Sequence, residues 1–187
     1  MTVVGLTGTF AAGKGTCSEY LQGKGFIVYS LSDIIREELR KEGVEIGRTS
    51  LQDKANYLRR TGGPGVLAER TLRKLEDGKD YVIDSIRNPA EIEVLRRRAD
   101  FFLIVVDAPI RRRYDWAVKR MREGEGTMTF EEFKAKEERE LYSADPTSQQ
   151  LVACRNMADV KIINDSDYEA LYKKVDQALA KYAGRTR

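Results

Sequence analysis

Short apolar runs alternate along the chain with longer segments whose apolar residues recur every three or four positions. Short runs rich in β-branched and aromatic residues are typical of strands, whereas the longer spacing is typical of helices. The predicted strands are 3–7, 26–29, 81–84, 101–107 and 159–164. Because strands and helices alternate, the pattern predicts a doubly wound parallel sheet of five strands in a three-layer α/β/α sandwich.

Helices are predicted between the strands, with bounds that follow from capping residues and glycines. Asp33 is the expected N-cap of the second helix, and Thr129 and Glu132 form a capping box before a later one. The predicted helices are 14–22, 34–40, 51–60, 66–75, 89–98, one that contains 112–120, one from 130 past 139, and 168–182. No repeat or linker divides the chain, so a single domain over 1–187 is expected.

The composition narrows the functions that such a fold could carry. With 187 residues, 41% of them hydrophobic, the chain can bury one full core. The net charge is +3 with both signs mixed along the chain, which does not favour binding to nucleic acid. Histidine is absent, which excludes histidine-based acid–base catalysis, Ser-His-Asp and Cys-His triads and most zinc sites. Any chemistry must then use carboxylates, lysine, arginine, hydroxyls or a bound ion.

Cysteine usage and apolar runs bear on the compartment. Cys17 and Cys154 are far apart in sequence and could form a disulfide or be buried thiols; free thiols in a reducing cytoplasm are expected. The N-terminus lacks the features of a signal peptide, and the longest apolar run, 101–106, is too short to span a bilayer. The sequence therefore predicts a cytoplasmic protein without a membrane partner and makes no prediction of oligomeric state.

The strongest chemical signal is a glycine-rich segment directly after the first strand. Gly8, Gly13 and Lys14 have the spacing G-x-x-x-x-G-K, and a predicted helix begins at the lysine. Phosphate oxygens need convergent backbone donors, glycines permit that close approach, and a lysine adds a point charge. The segment is therefore predicted to be a phosphate-binding loop.

The end of this loop carries a resemblance to a known family. It has the sequence Gly13-Lys14-Gly15-Thr16, which resembles the adenylate kinase group of nucleoside monophosphate kinases. The resemblance implies a P-loop kinase fold with a short helical lid, ATP and Mg²⁺ as cofactors, and a small nucleotide as substrate. It also implies that Gly8, Gly13, Lys14 and Gly15 hold the phosphates. Thr16 would supply a hydroxyl to a phosphate or to the Mg²⁺ shell.

The resemblance continues at the ends of the second and third predicted strands. Related kinases bind the acceptor phosphate with an arginine at the position of Arg36, close to Asp33, and the acceptor-binding helical segment would span about 33–75. Asp84 resembles the acid that orients waters on the metal, and Arg87 resembles the arginine that clamps the acceptor phosphate. This stretch is one residue shorter than in the family, which leaves the register of Arg87 open.

The donor side of the resemblance lies further along the chain. Arg120 matches a lid-base arginine that contacts donor phosphates, and Arg139 matches one that closes over the transferring phosphoryl group. Trp116 replaces an arginine that stacks on the donor adenine; it could stack in the same way or belong to the core. The lid itself is expected at about 121–140.

Glu91 stands four residues after the predicted clamp, where related adenylate kinases carry a glutamine that reads the acceptor base. An ionised glutamate only accepts hydrogen bonds, so it would prefer a base edge that presents donors, such as cytosine or guanine. Glu91 also falls on the polar side of a predicted helix, where it would be solvated. Both interpretations are open at this point.

The predicted activity is that of an ATP:nucleotide phosphotransferase whose acceptor is a nucleoside monophosphate or its deoxy form. One alternative is a dephospho-CoA kinase, in which the acceptor is a hydroxyl and Asp33 would be the base. An alternative of another class is a nucleotide-binding regulatory module with little or no turnover.

Overall fold

A computed structural model describes residues 1–120, 129–141 and 149–183 of the chain. Its sheet has five strands in the order β2-β3-β1-β4-β5, and every neighbouring pair is parallel. The strands are β1 Val3–Gly8, β2 Ile27–Ser30, β3 Tyr81–Asp84, β4 Phe101–Asp107 and β5 Val160–Ile163. All five predicted strands are thus confirmed.

Helices connect these strands wherever the chain is described. They are α1 Lys14–Gly23, α2 Leu31–Lys41, α3 Arg48–Gly62, α4 Val66–Leu72, α5 Pro89–Leu95, α6 Ile110–Arg120, α7 Phe130–Leu141, α8 Leu151–Asn156 and α9 Tyr168–Ala183. The Thr129 capping box before α7 is confirmed, since the Glu132 carboxylate accepts from the Thr129 amide at 2.7 Å.

Each face of the sheet carries its own apolar core. Successive side chains of a strand point to opposite faces, so Val3 joins one core and Val4 the other. Helices α1 and α9 pack on the Val4 side, while α2, α4, α5 and α8 contribute to the core on the Val3 side. The predicted three-layer α/β/α sandwich is therefore confirmed.

The structure differs from the sequence prediction at two helices. Helix α2 begins at Leu31, and its N-cap is Ser30 rather than Asp33, which is the third residue of the helix and bonds back to the Ser30 amide at 3.2 Å. The short helix α8 was not predicted, because it has only six residues. A helix of this length owes its stability to packing rather than to a periodic pattern.

The structure locates the two predicted functional segments in part. The expected acceptor segment 33–75 contains most of α2, all of α3 and α4, and the turns between them. Within the expected lid at 121–140, residues 121–128 lie outside the described part of the chain, and 130–140 belong to α7. No helix among the described residues is long and apolar enough to cross a membrane.

Both cysteines are buried free thiols, and the sheet separates them. Cys17 lies in the core beneath α1, and Cys154 lies in the core on the opposite face. Burial is the main cause that raises the pKa of each thiol from 9.0 to about 12. The separation excludes a disulfide between them within one chain.

We therefore expect the native protein to resist thiol reagents at pH 8. A pKa raised by three units lowers the thiolate fraction about a thousandfold, and the thiolate is the reactive form. The measurement is the rate of labelling by an aromatic disulfide reagent, with the urea-unfolded protein as control. Labelling of the native protein at the unfolded rate would show that the two cores are open to solvent.

Candidate active site

The phosphate loop follows β1, and its shape is imposed by two glycines. Gly8 has φ 138° and Gly13 has φ 102°, a region that side chains disfavour. A Cβ on Gly8 would lie 1.9 Å from the Val106 carbonyl oxygen, and one on Gly13 would lie 2.5 Å from the Asn164 amide nitrogen. Neither position can carry a side chain without moving the neighbouring backbone or Asn164.

Lys14, the first residue of α1, closes the loop. Its ammonium donates to the carbonyl oxygens of Gly8 at 2.9 Å and Thr9 at 2.8 Å. Gly13 is the N-cap of α1 and provides no side-chain cap for the helix amides. The N–H groups at a helix N-terminus of this kind are suited to donate hydrogen bonds to phosphate oxygens. The segment therefore has the glycine conformations, the lysine and the helix start that a phosphate-binding loop requires, and the binding of phosphate stays a prediction.

Residues at the ends of β4 and β5 hold the loop from outside. Thr9 donates from its hydroxyl to Asp107 at 2.9 Å, and Asn164 donates to the Ala12 carbonyl at 3.1 Å. The second oxygen of Asp107 pairs with Arg155 of α8 at 2.9 Å. Sequence reasoning did not assign Asp107, Asn164 or Arg155 to the site. The available signal was that Asp107 and Asn164 each stand at the carboxyl end of a predicted strand, the edge where such sheets bind ligands.

Asp84 lies at the carboxyl end of β3, the strand beside β1. Because β1 and β3 pair in parallel, the end of β3 lies at the same edge of the sheet as the loop that follows β1. The Asp84 carboxylate accepts a hydrogen bond from the Ser85 amide at 2.6 Å. Ser85 follows with φ 65°, uncommon for a residue with a side chain, and accepts a hydrogen bond from the Ser30 hydroxyl at 2.9 Å. The structure therefore holds Asp84 beside the phosphate loop.

The donor set suits a metal that is held mainly by phosphate and water. No group of three or more histidine, cysteine, aspartate or glutamate residues that could hold a metal occurs in the described part of the chain. Mg²⁺ is commonly bound through one or two carboxylates together with substrate phosphates. Asp84 as a single carboxylate, with the half-buried Thr16 hydroxyl in the first turn of α1, fits that pattern.

The predicted acceptor residues lie at the same edge, after β2 and β3. Arg36 donates to Asp33 at 3.0 Å and to the Ser32 hydroxyl at 2.5 Å, and it is about one-third exposed. Arg87 donates to the Gln149 side chain at 3.1 Å. Ser30 and Asp84 are opposite each other in the ladder of β2 and β3, so both arginines follow strand ends that are paired.

Glu91 has surroundings that neither sequence interpretation anticipated. It is fully buried, and one carboxylate oxygen accepts from Arg59 of α3 at 2.8 and 3.1 Å. The other oxygen accepts from the backbone amides of Arg87 at 2.9 Å and Asn88 at 3.1 Å. A carboxylate with both oxygens engaged inside the protein is neither solvated nor available to a nucleotide base. The expected base-reading role is therefore not supported, and the solvated interpretation is wrong.

The remaining donor-side predictions are located only partly. Trp116 is partly exposed on α6 and is not among the buried core residues. Arg120 is the last residue of α6, and Arg139 lies in α7. The side chains of Arg120 and Arg139 lie outside the described part of the chain, so their roles remain predictions.

Sequence relatives place the chain in a family. No protein-family model matches it. A UPF0200 protein of Methanothermobacter thermautotrophicus is 31% identical over 186 residues, which cover 98% of this chain and 92% of the relative. The chain belongs to the UPF0200 family. A UPF0200/UPF0201 protein of Archaeoglobus fulgidus is 30% identical over 98% of this chain, and the match spans 56% of that longer relative.

Solved structures with the same architecture include several kinases. TT1252 from Thermus thermophilus has a TM-score of 0.60 at 22% identity, with 96% of this chain and 97% of that chain covered. Shikimate kinase from Aquifex aeolicus has a TM-score of 0.55 at 17% identity, covering 97% and 98%. Dephospho-CoA kinase from Campylobacter jejuni has a TM-score of 0.53 at 13% identity, and the match covers 97% of each chain. At these identities the likeness establishes the fold, and this UPF0200 protein has the fold of P-loop kinases.

The two glycines on either side of Lys14 should respond differently to alanine. Gly13→Ala meets both a positive φ and the Asn164 side chain, whereas a Cβ on Gly15 meets nothing within 4 Å. We expect Gly13→Ala to lower the free energy of unfolding by about 1–3 kcal/mol. Gly15→Ala, at a helical position, should be neutral or stabilising by about 0.5–1 kcal/mol. Urea unfolding of both variants measures the difference, and equal effects would contradict a loop shape imposed by Gly13.

Glu91 should behave as a structural residue of this UPF0200 protein. We expect Glu91→Gln to lower the free energy of unfolding by on the order of 3 kcal/mol, because it removes the negative charge that faces the buried Arg59 guanidinium. Glu93→Gln, at an exposed position of the same helix, is the matched control and should change little. Chemical denaturation measures both. A stable Glu91→Gln variant would show that the ion pair is not required by the fold.

Proposed function

We propose that this UPF0200 protein transfers the γ-phosphate of ATP to a small nucleotide, with a nucleoside monophosphate as the acceptor. The observation that carries the proposal is the phosphate loop, closed by Lys14 at the carboxyl edge of the sheet. Asp84 stands at the end of the adjacent strand β3, where a metal–phosphate group on the loop would need a carboxylate. The P-loop kinase fold of the chain supports the same class of reaction.

On this proposal the loop amides and Lys14 bind the β- and γ-phosphates. Lys14 leaves the Gly8 and Thr9 carbonyls to do so, and its charge is aimed at the group on which negative charge is redistributed during transfer. Mg²⁺, held through Thr16 and through waters oriented by Asp84, would supply further charge neutralisation. Arg120 and Arg139 are proposed to neutralise the moving phosphoryl group from the donor side.

The acceptor is proposed to bind between the ends of β2 and β3. Arg36 and Arg87 follow those strands and offer planar forks of donors that suit a phosphate group. Both oxygens of Asp33 already accept hydrogen bonds, one from Arg36 and the other from the Ser30 amide. This arrangement favours an acceptor phosphate, which needs no general base, over the hydroxyl acceptor of a dephospho-CoA kinase, for which Asp33 was the candidate base.

The experiment is a panel of acceptors incubated with ATP labelled at the γ-phosphate. The proposal expects label in a nucleoside diphosphate. Label in coenzyme A formed from dephospho-CoA would establish the hydroxyl-acceptor alternative. ATP binding without transfer to any acceptor would favour the regulatory module instead.

Lys14→Ala tests the loop within the same assay. Loss of a charge that acts in the transition state should lower kcat/KM by about a hundredfold or more while the protein stays folded. Lys79→Ala removes an exposed lysine on the turn before β3 and is the matched control. A folded Lys14→Ala variant that transfers phosphate at the wild-type rate would exclude the catalytic role of the loop.

A further inference from the structure

Helix α6 carries three consecutive arginines directly after its first residue, Ile110, and one of the three is buried. Arg111 and Arg112 are exposed, as a charged helix face would be, but Arg113 is only 4% exposed. Both of its terminal nitrogens contact the carboxylate of Glu137 on α7, which is itself buried. Burying an ion pair that is held by two hydrogen bonds has a large desolvation penalty. The pair therefore needs further hydrogen bonds to be stable.

Those further bonds reach the phosphate loop. Arg113 donates from Nε to the Ala108 carbonyl at 2.7 Å and from Nη1 to the Phe10 carbonyl at 3.3 Å. Its Nε is also 4.0 Å from Asp107, whose carboxylate accepts from the Thr9 hydroxyl. A single guanidinium thus touches the loop, the end of β4 and α7. Only a planar group with five fixed donors can serve all of these partners together.

An apolar contact also joins α7 to the phosphate loop. The Phe10 ring, in the middle of the phosphate loop, lies 5.8 Å from the Phe133 ring of α7, measured between centroids. Phe133 is buried, and it also meets the edge of Tyr114 of α6 at 5.8 Å. Phe133 and Glu137 are one helical turn apart on the same face of α7. Two independent contacts therefore join α7 to the same residue of the loop.

We propose that Arg113 is a positioning residue that ties α7 to the phosphate loop, so that the loop and this helix hold their places together. It would not touch the substrate. Its effect on phosphoryl transfer rests on the proposed function and acts through the loop, where a displacement of about 1 Å can cost on the order of a hundredfold in rate. The link also fixes the helix that carries Arg139.

The test compares Arg113→Lys with two controls. Arg113→Lys keeps the positive charge but removes the planar guanidinium and its several donors. Arg98→Lys makes the same change in the Arg98–Asp100 pair, which lies before the amino end of β4. Val175→Ala removes side-chain volume from the core between α9 and the sheet. The readouts are kcat and KM for ATP, ATP affinity by calorimetry, and backbone hydrogen exchange of residues 9–14 and 130–138 without nucleotide.

For Arg113→Lys we expect kcat/KM for ATP to fall about tenfold to a hundredfold. Hydrogen exchange should rise about tenfold or more in both segments, while the controls leave both segments unchanged. Glu137→Gln, which keeps the shape of the partner, should change the same two segments in the same direction but less. If Arg113→Lys matches a control of equal thermal stability in exchange and in kcat/KM, the residue is merely structural and the proposal is overturned.

The design separates this inference from the proposed function. If the wild type transfers phosphate to no acceptor, the proposed function fails, and the exchange and ATP-affinity measurements still decide the role of Arg113. Altered exchange in both segments together with weakened ATP binding would then support the link. Exchange that changes in only one segment would overturn it.

Discussion

The absence of a side chain at Gly8 is the constraint on which the site depends. The backbone at the end of β1 passes so close to the Val106 carbonyl that any Cβ would lie 1.9 Å from that oxygen. This approach lets the chain leave the centre of the sheet and turn towards α1. Gly13 completes the turn, and Lys14 spans it. The shape of the loop backbone is therefore a property of the unliganded fold, whereas the Lys14 ammonium would exchange its bonds to the Gly8 and Thr9 carbonyls for phosphate oxygens.

Three carboxylates outside the loop, those of buried Glu91 and Glu137 and of partly buried Asp107, provide the support around it. Glu137 forms an ion pair with Arg113. Asp107 accepts a hydrogen bond from the Thr9 hydroxyl and forms an ion pair with Arg155. Glu91 pairs with Arg59 and accepts a hydrogen bond from the Arg87 amide. Each carboxylate joins segments that are distant in sequence. The two buried pairs, Arg59–Glu91 and Arg113–Glu137, contribute little net stability, but removing one partner of either is costly, so they make alternative arrangements of this edge unfavourable. This polar scaffold surrounds the functional edge of the sheet.

The fold and the loop could be predicted because their signals are local. A β-branched run before Gly8, the glycine spacing and the helical pattern after Lys14 are contiguous, and each implies one structure. Glu91 could not be placed in this way, because its partner Arg59 is 32 positions distant and both residues look like members of solvated helix faces. Arg113 was obscured by its two exposed neighbours. Pairing between charged residues that are distant in sequence produces no periodic pattern along the chain. The sequence therefore could not predict these buried ion pairs.

The most direct test of the whole account is a crystal structure with Mg²⁺, a non-hydrolysable ATP analogue and a nucleoside monophosphate. We expect the triphosphate in the loop between Gly8 and Thr16, with the Lys14 ammonium on its terminal groups. We also expect metal-bound waters at Asp84 and the acceptor phosphate between Arg36 and Arg87. A triphosphate bound elsewhere, or a loop whose backbone rearranges around it, would contradict the claim that the unliganded fold already holds the active site.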